Sequence, residues 1–222
     1  MRLVEVYTST QGEGPNVGRP TQFVRFGGCN LRCPGWPCDT PFAIDPAKYR
    51  DTWVKMDPGE VFSRLATWPK HVCLTGGEPL LQPTHEMKEL CDELMNWGYT
   101  YEMFTNGTFA LPVLGATYVM DWKLPGSGED PMNPERLANL KRLKRNDAIK
   151  FVIKDEKDFN LARYMYAEHV PKGRNAPLVY AGVVWGELGE KDLVAWILES
   201  QLPWRLNVQV HNHVWPVNER KR

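Results

Sequence analysis

Thr21-Gln-Phe-Val-Arg-Phe26 alternates polar and apolar side chains and runs straight into Gly27-Gly-Cys-Asn-Leu-Arg-Cys-Pro-Gly-Trp-Pro-Cys-Asp-Thr40. The period of two reads as a strand. The Gly- and Pro-rich stretch after it reads as a loop carrying Cys29, Cys33 and Cys38 within ten residues. Three thiols this close can serve one inorganic centre. A structural zinc site uses four protein ligands, and a site that keeps a position open uses three. An iron–sulfur cluster held by three cysteines likewise leaves one iron without a protein ligand. A zinc knuckle needs a fourth ligand, and the nearest histidine, His71, is far off in sequence.

Outward from this stretch the chain alternates. Residues 3–8 read as a strand, followed by the polar turn Thr10-Gln-Gly-Glu-Gly-Pro15 and a second turn at Gly18-Arg-Pro20. Residues 41–56 show no period and read as an irregular insertion. Asp57-Pro-Gly-Glu60 is a helix start, with a capping Asp, Pro at the first helical position and an acid at the third. That helix is expected to run to about residue 68, with Val61, Leu65 and Trp68 on its inner face. Further strands are expected at 71–75, 99–104, 116–122, 148–153, 177–184 and 205–210, and helices at 84–97, 134–143, 156–169 and 190–198. Gly126-Ser-Gly128 reads as a flexible loop.

Strands alternating with helices imply βαβ units on a parallel sheet. About six such units fit an α/β fold of the incomplete (β/α)6 type, a partial TIM barrel, with residues 1–222 as a single domain. Parallel barrels carry chemistry at the C-terminal ends of their strands. The cysteine loop, Thr75-Gly-Gly-Glu-Pro79, Thr105-Asn-Gly-Thr108 and Asp121-Trp-Lys123 all fall there.

With 27 basic and 27 acidic residues, the zero formal charge argues against a nucleic-acid surface spread over the fold. The alternating N-terminus does not resemble a signal peptide, and no apolar run approaches the roughly 20 residues that span a membrane. Five cysteines, three of them clustered, make poor arithmetic for a disulfide scaffold. The expected setting is the cytoplasm, with no membrane and no nucleic-acid partner. Cys73 and Cys91 lie in apolar patterns and are expected in the core.

Several residues support two readings. Gly76-Gly77 is a tight turn, or a place where a ligand approaches the backbone closely. Arg25 is a surface-facing strand residue, or a fork for a substrate carboxylate. Lys123 has the same ambiguity, and His211 and His213 follow the last expected strand.

Cys29-x3-Cys33-x4-Cys38 together with Gly76-Gly-Glu-Pro79 resembles the radical S-adenosylmethionine (SAM) superfamily. Thr10-Gln-Gly-Glu-Gly-Pro15, Gly18-Arg-Pro20, Phe23-Val-Arg-Phe26, Gly28-Cys-Asn-Leu-Arg-Cys-Pro34, Cys38-Asp-Thr40 and Leu74-Thr-Gly-Gly-Glu-Pro-Leu-Leu-Gln82 narrow the resemblance to the 7-carboxy-7-deazaguanine synthase family. It is dense over residues 1–82 and thin after residue 160. It implies a lyase of queuosine and deazapurine biosynthesis that converts 6-carboxy-5,6,7,8-tetrahydropterin to 7-carboxy-7-deazaguanine. A [4Fe–4S] cluster, SAM and Mg²⁺ are the implied cofactors, an electron donor such as flavodoxin or ferredoxin the implied partner, and a homodimer the implied assembly. The other readings weighed are a glycyl-radical activating enzyme and a zinc-binding interaction module.

By residue, the resemblance implies Cys29, Cys33 and Cys38 as cluster ligands and Thr40 as the Mg²⁺ ligand, a hard oxygen for a hard ion. It implies Thr10, Gln11, Gly12, Glu13, Arg25, Thr75 and His211 on the substrate, and Pro37, Asp39, Gly77, Glu78, Asp121 and Lys123 on SAM. Four places depart from the family pattern. Pro34-Gly-Trp-Pro37 is longer than the usual two residues between the second and third cysteines. Asp121-Trp-Lys123 stands for Ser-Pro-Lys, and Tyr180-Ala-Gly-Val183 for a Gln-Pro segment. The chain continues past His211, which makes Pro216 and Val217 the terminal candidates.

Overall fold

The structure, a computed structural model, describes residues 1–36 and 38–216. Strand β1 (Arg2–Thr10) and β2 (Pro20–Phe26) form an antiparallel hairpin, and a two-residue β3 (Val54–Lys55) pairs with the outer side of β1. From β2 onward all neighbours are parallel: β4 (His71–Gly76), β5 (Thr100–Thr105), β6 (Thr117–Trp122), β7 (Ala148–Ile153), β8 (Leu178–Val183) and β9 (Arg205–Leu206). The order β3-β1-β2-β4-β5-β6-β7-β8-β9 ends without closure, so the sheet is the expected partial barrel with a hairpin added at one edge.

The helices are α1 (Pro41–Ile44), α2 (Pro46–Tyr49), α3 (Pro58–Ser63), α4 (Thr84–Asn96), α5 (Pro134–Asn139), α6 (Glu156–His169), α7 (Glu190–Glu199) and α8 (Val210–Val214). On α4, Met87, Leu90, Cys91 and Leu94 are buried at the expected spacing. The main core lies between the helices and one face of the sheet, built on Val24, Leu74, Met103, Met120, Trp122, Phe151 and Ile153. Strand residues alternate between faces, so Phe104, Val119, Ala148 and Tyr180 form a second, smaller cluster on the other face, inside the barrel. Two positions beyond Val119 and Ala148 stand Asp121 and Lys150, with Arg25 two beyond Phe23. An apolar layer thus crosses the barrel interior, with Arg25, Asp121 and Lys150 on the mouth side of it and the buried His71 and Glu102 on the other side.

Three expectations are corrected. Helix α3 starts on the expected capping box, with Asp57 and Glu60 each accepting the other's backbone N–H, but ends at Ser63. The Gln22 side chain binds the Ala66 N–H and the Ala66 and Pro69 carbonyls, which turns the chain back toward β4. Trp68 is consequently 67% exposed and not on the inner face. The last strand stops at Leu206, because Asn207 and Gln209 turn inward to bond Glu13 and the chain then coils into α8. The Gly126-Ser-Gly128 segment is a packed turn, with Ser127 buried and the Gly126 N–H held by Asp158. Two short helices and β3 form within residues 41–56.

Candidate active site

The site has a cofactor side, at the C-terminal ends of the parallel strands, and a substrate side, which the turn between β1 and β2 reaches from the other end. On the first, β2 ends at Phe26 and the following loop laces onto the end of β4, through Gly77 N–H to the Phe26 carbonyl (3.0 Å) and Glu78 N–H to the Gly28 carbonyl (2.8 Å), and onto α1, through Gly28 N–H to the Ala43 carbonyl (2.7 Å). Gly76 has φ +136°, and a Cβ on Gly77 would run into the Gly28 carbonyl. The glycine pair is required because the chain's own loop, rather than only a ligand, comes this close.

Cys29, Cys33 and Cys38 are free and half-buried. Leu31 N–H points at Cys29 Sγ (3.4 Å), Asn106 Nδ2 lies 3.9 Å from the same sulfur, and Cys38 Sγ is 3.7 Å from Thr40 Oγ1. Burial pushes the Cys29 thiol up, and Cys33 up to about 11 against the pull of Lys123. Both feel Cys38, which places the three sulfurs in one electrostatic neighbourhood. Among the described residues no three His, Cys, Asp or Glu side chains converge on a single-ion position. Three thiols around a rim, one with N–H donors aimed at its sulfur, fit a polynuclear cluster better than one ion. The Thr40 hydroxyl beside Cys38 places a hard oxygen next to that rim.

Of the residues expected on SAM, Gly77 lies at the rim and Asp39 is exposed on the loop. Glu78 is fully buried and used by the protein: its carboxylate accepts from Leu80 N–H (3.0 Å), Thr105 Oγ1 (2.8 Å) and Asn106 N–H (2.7 Å). It ties β4 to β5, and its burial lifts the carboxyl to about 7. Asp121 and Lys123 pair at 3.0 Å, and the Lys123 ammonium stands 5.8 Å from the centre of the Trp36 ring, so Trp36 faces the mouth despite the longer loop. Pro37 and Val217 lie outside the described residues, and Pro216 is exposed beyond α8.

On the substrate side the Gln11–Gly14 turn is wired into the barrel. Gln11 donates its amide to Glu102, and its carbonyl receives the Glu13 N–H (3.3 Å). Gly12 leaves no room for a Cβ because the His211 ring occupies that space, which brings two expected substrate residues together from opposite ends of the chain. Glu13 accepts from Lys150 (2.9 Å), Gln209 (3.1 Å) and Asn207 (3.3 Å). Burial pushes its carboxyl up, but Lys150, His211 and these hydrogen bonds outweigh burial and hold it below the usual range. Arg25 is opposite Thr75 in the sheet. Its Nε donates to Glu5 (2.9 Å) and one terminal nitrogen to Tyr7 (2.8 Å), so part of the expected carboxylate fork is already engaged. Thr10 is exposed at the end of β1.

Sequence reading missed Lys150 and Glu102. Lys150 bridges Glu13 and, at 3.4 Å, Asp121, and is held charged by both despite burial. Glu102 is fully buried and also binds Asn16 (2.7 Å). The available signal was the one used for Arg25: a lone charge inside an apolar strand, as in Ala148-Ile-Lys-Phe and Tyr101-Glu-Met-Phe.

No family model matches the chain. It is similar to curated proteins named 7-carboxy-7-deazaguanine synthase: 34% identical over 96% of this chain and 85% of the protein from Methanospirillum hungatei, 32% over 97% of both this chain and the protein from Koribacter versatilis, and 35% over 95% of this chain and 94% of the protein from Leptospira interrogans. In fold it is similar to the crystal structure of QueE from Escherichia coli, with a TM-score of 0.73 at 20% identity over 93% of this chain and 92% of that one. Identity at this level over nearly the whole length places the chain in the 7-carboxy-7-deazaguanine synthase family, radical SAM lyases of the deazapurine pathway that use a [4Fe–4S] cluster, SAM and Mg²⁺.

Proposed function

We propose that this chain divides the conversion of 6-carboxy-5,6,7,8-tetrahydropterin to 7-carboxy-7-deazaguanine among the residues of the two sides of the site. The observation that carries the reading is a continuous charge chain, Glu13–Lys150–Asp121–Lys123, which joins the Gln-Gly-Glu-Gly turn to the cysteine rim across β6 and β7. Cys29, Cys33 and Cys38 would hold the cluster, and Thr40 the Mg²⁺. When bound, the cluster and SAM supply a carbon radical able to take a hydrogen from the substrate.

The protein's own work is to bind, orient and shield. Gly77 presents backbone, and Asp39, Asp121 and Lys123 present charge, to SAM; Pro37 belongs to the same set, and Glu78 acts by holding the strand ends together. Thr10, Gln11, Gly12, Glu13, Arg25, Thr75 and His211 face the pterin, with Arg25 drawing its carboxylate. Both fully buried carboxylates are used by the protein: Glu78 by the Leu80 and Asn106 N–H groups and the Thr105 hydroxyl, and Glu102 by the Gln11 and Asn16 amides, so that Glu102 braces the substrate turn.

The balanced surface charge supports a partner list without nucleic acid, and no helix among the described residues is long and apolar enough to cross a membrane. The reading takes residues 1–222 as one cytoplasmic domain. It works as a homodimer with a one-electron donor such as flavodoxin or ferredoxin. The test is anaerobic turnover with carboxytetrahydropterin, SAM, Mg²⁺ and reductant. A deazapurine of the expected mass is the predicted result, and 5′-deoxyadenosine without it sinks the proposal. Arg25→Ala weakens pterin binding strongly and leaves slow, uncoupled SAM cleavage; unchanged affinity removes Arg25 from the site.

A further inference from the structure

Glu129, in the connection from β6 to α5, reaches across to the cysteine loop. Its Oε1 accepts the backbone N–H of both Arg32 (2.8 Å) and Cys33 (2.7 Å). Cys33 has φ +45°, a left-handed conformation rare for a residue with a side chain, so this contact holds a turn the chain does not adopt freely. The rest of the lengthened loop is anchored on the same side: Gly35 N–H donates to the Ser127 carbonyl (2.9 Å), and Lys154 donates to the Gly35 carbonyl (2.8 Å).

Cluster potentials respond to net charge and to hydrogen bonds at the sulfurs. An N–H aimed at a sulfur stabilises the extra negative charge of the reduced state. Here two backbone N–H groups beside a ligating cysteine are turned onto a carboxylate instead. Withdrawing those dipoles and adding a negative charge next to Cys33 both disfavour the reduced form. The cations that oppose them are Lys123 and Arg32, whose guanidinium donates to the carbonyls of Cys29 (2.7 Å) and Leu31 (2.9 Å).

We propose that Glu129 is a positioning residue that lowers the reduction potential of the cluster, so that the electron it receives from an external one-electron donor is a stronger reductant toward SAM. It acts through the loop backbone and its charge, without touching substrate or SAM. This rests on Cys29, Cys33 and Cys38 being the cluster ligands.

The test compares anaerobically reconstituted parent and Glu129→Gln by iron and sulfide content and by redox titration of the reduced-cluster electron paramagnetic resonance signal. Gln keeps an oxygen acceptor for both N–H groups and removes the charge. The expected result is a full iron complement and reduction at a higher potential than the parent. Glu135→Gln, which removes the same charge from an exposed pair with Arg142 on α5, is expected to titrate like the parent. A Gln variant with the parent's potential, or one unable to assemble the cluster, overturns the role of charge. A parent that takes up no iron overturns the ligand assignment and this role together.

Discussion

Around residues 10–14 the polar groups find side-chain partners brought from distant strands, whereas the cysteine loop is held mainly through its backbone. Glu102 from β5 holds Gln11, Lys150 from β7 holds Glu13, Asn207 accepts the Gly14 N–H (2.9 Å), and the His211 ring lies on Gly12. Facing them, Gly28, Gly35, Gly77 and Glu78 make main-chain hydrogen bonds, and the thiols form no disulfide. The difference follows from what each side receives. A substrate that must be recognised calls for charges and dipoles already in place, and buried ionic networks keep them there at the cost of desolvation. A cluster brings its own bonds, so its loop needs only the right path and unspent sulfurs.

Removing any of those sulfurs breaks the comparison most severely. Cys29→Ala, Cys33→Ala and Cys38→Ala each abolish SAM cleavage and lose the iron–sulfur absorption, while leaving the turn at 10–14 intact. Cys73→Ala keeps iron and activity and costs about 1 kcal/mol for a small core truncation. Iron and sulfide analysis with 5′-deoxyadenosine quantification checks this. A cluster that persists without Cys38 and disappears without Cys73 reverses the assignment.

On the wired side, Lys150→Met leaves Glu13 and Asp121 short of a partner in a buried site, and is expected to cost about 3–5 kcal/mol in unfolding experiments and to weaken substrate binding. The sign of the pH effect follows from Glu13. Its depressed carboxyl contributes stability above the unfolded value of about 4.3, and that stability is lost as pH falls through the folded value. The gap between parent and variant therefore closes in acid. A gap that stays constant means that Lys150 acts by packing alone.

Glu78 lies on the cofactor side, between the ends of β4 and β5. Its carboxyl is raised by burial, so ionising it opposes folding: stability falls as pH rises from about 4.3 to about 7 and then levels, by about 4 kcal/mol at 1.36 kcal/mol per pH unit. Glu78→Gln gives up an acceptor but removes that slope, and thermal unfolding across this range shows whether it does. The same slope in both proteins assigns it elsewhere.

The smallest expected effect sharpens the backbone side. A Cβ on Gly35 would run into the Gly126 carbonyl, and neither backbone can yield alone. Gly35→Ala is expected to cost about 1–3 kcal/mol as overpacking and to lower iron uptake without changing substrate affinity. A change in affinity would mean that the two sides are coupled through the loop.

From the sequence by itself came everything that repeats or clusters locally: the strand–helix alternation, the inner face of α4, the capping box at Asp57, the three cysteines and the Gly-Gly turn after β4. These are signals of period and spacing, set by neighbours along the chain. Tertiary structure alone decided which lone charges meet. Lys150 and Asp121 are in register only because β6 and β7 pair, and Glu13 joins them only because the β1–β2 turn, at the opposite end of the strands from the cysteine loop, reaches inward beside the residues after β9. It also decided that Glu78 turns inward, that part of the Arg25 fork goes to Glu5 and Tyr7, and that α3 stops at Ser63 under the hand of Gln22. Each of these follows from a partner many residues away. A buried polar group takes whichever partner the fold brings within reach, and no local pattern encodes that choice.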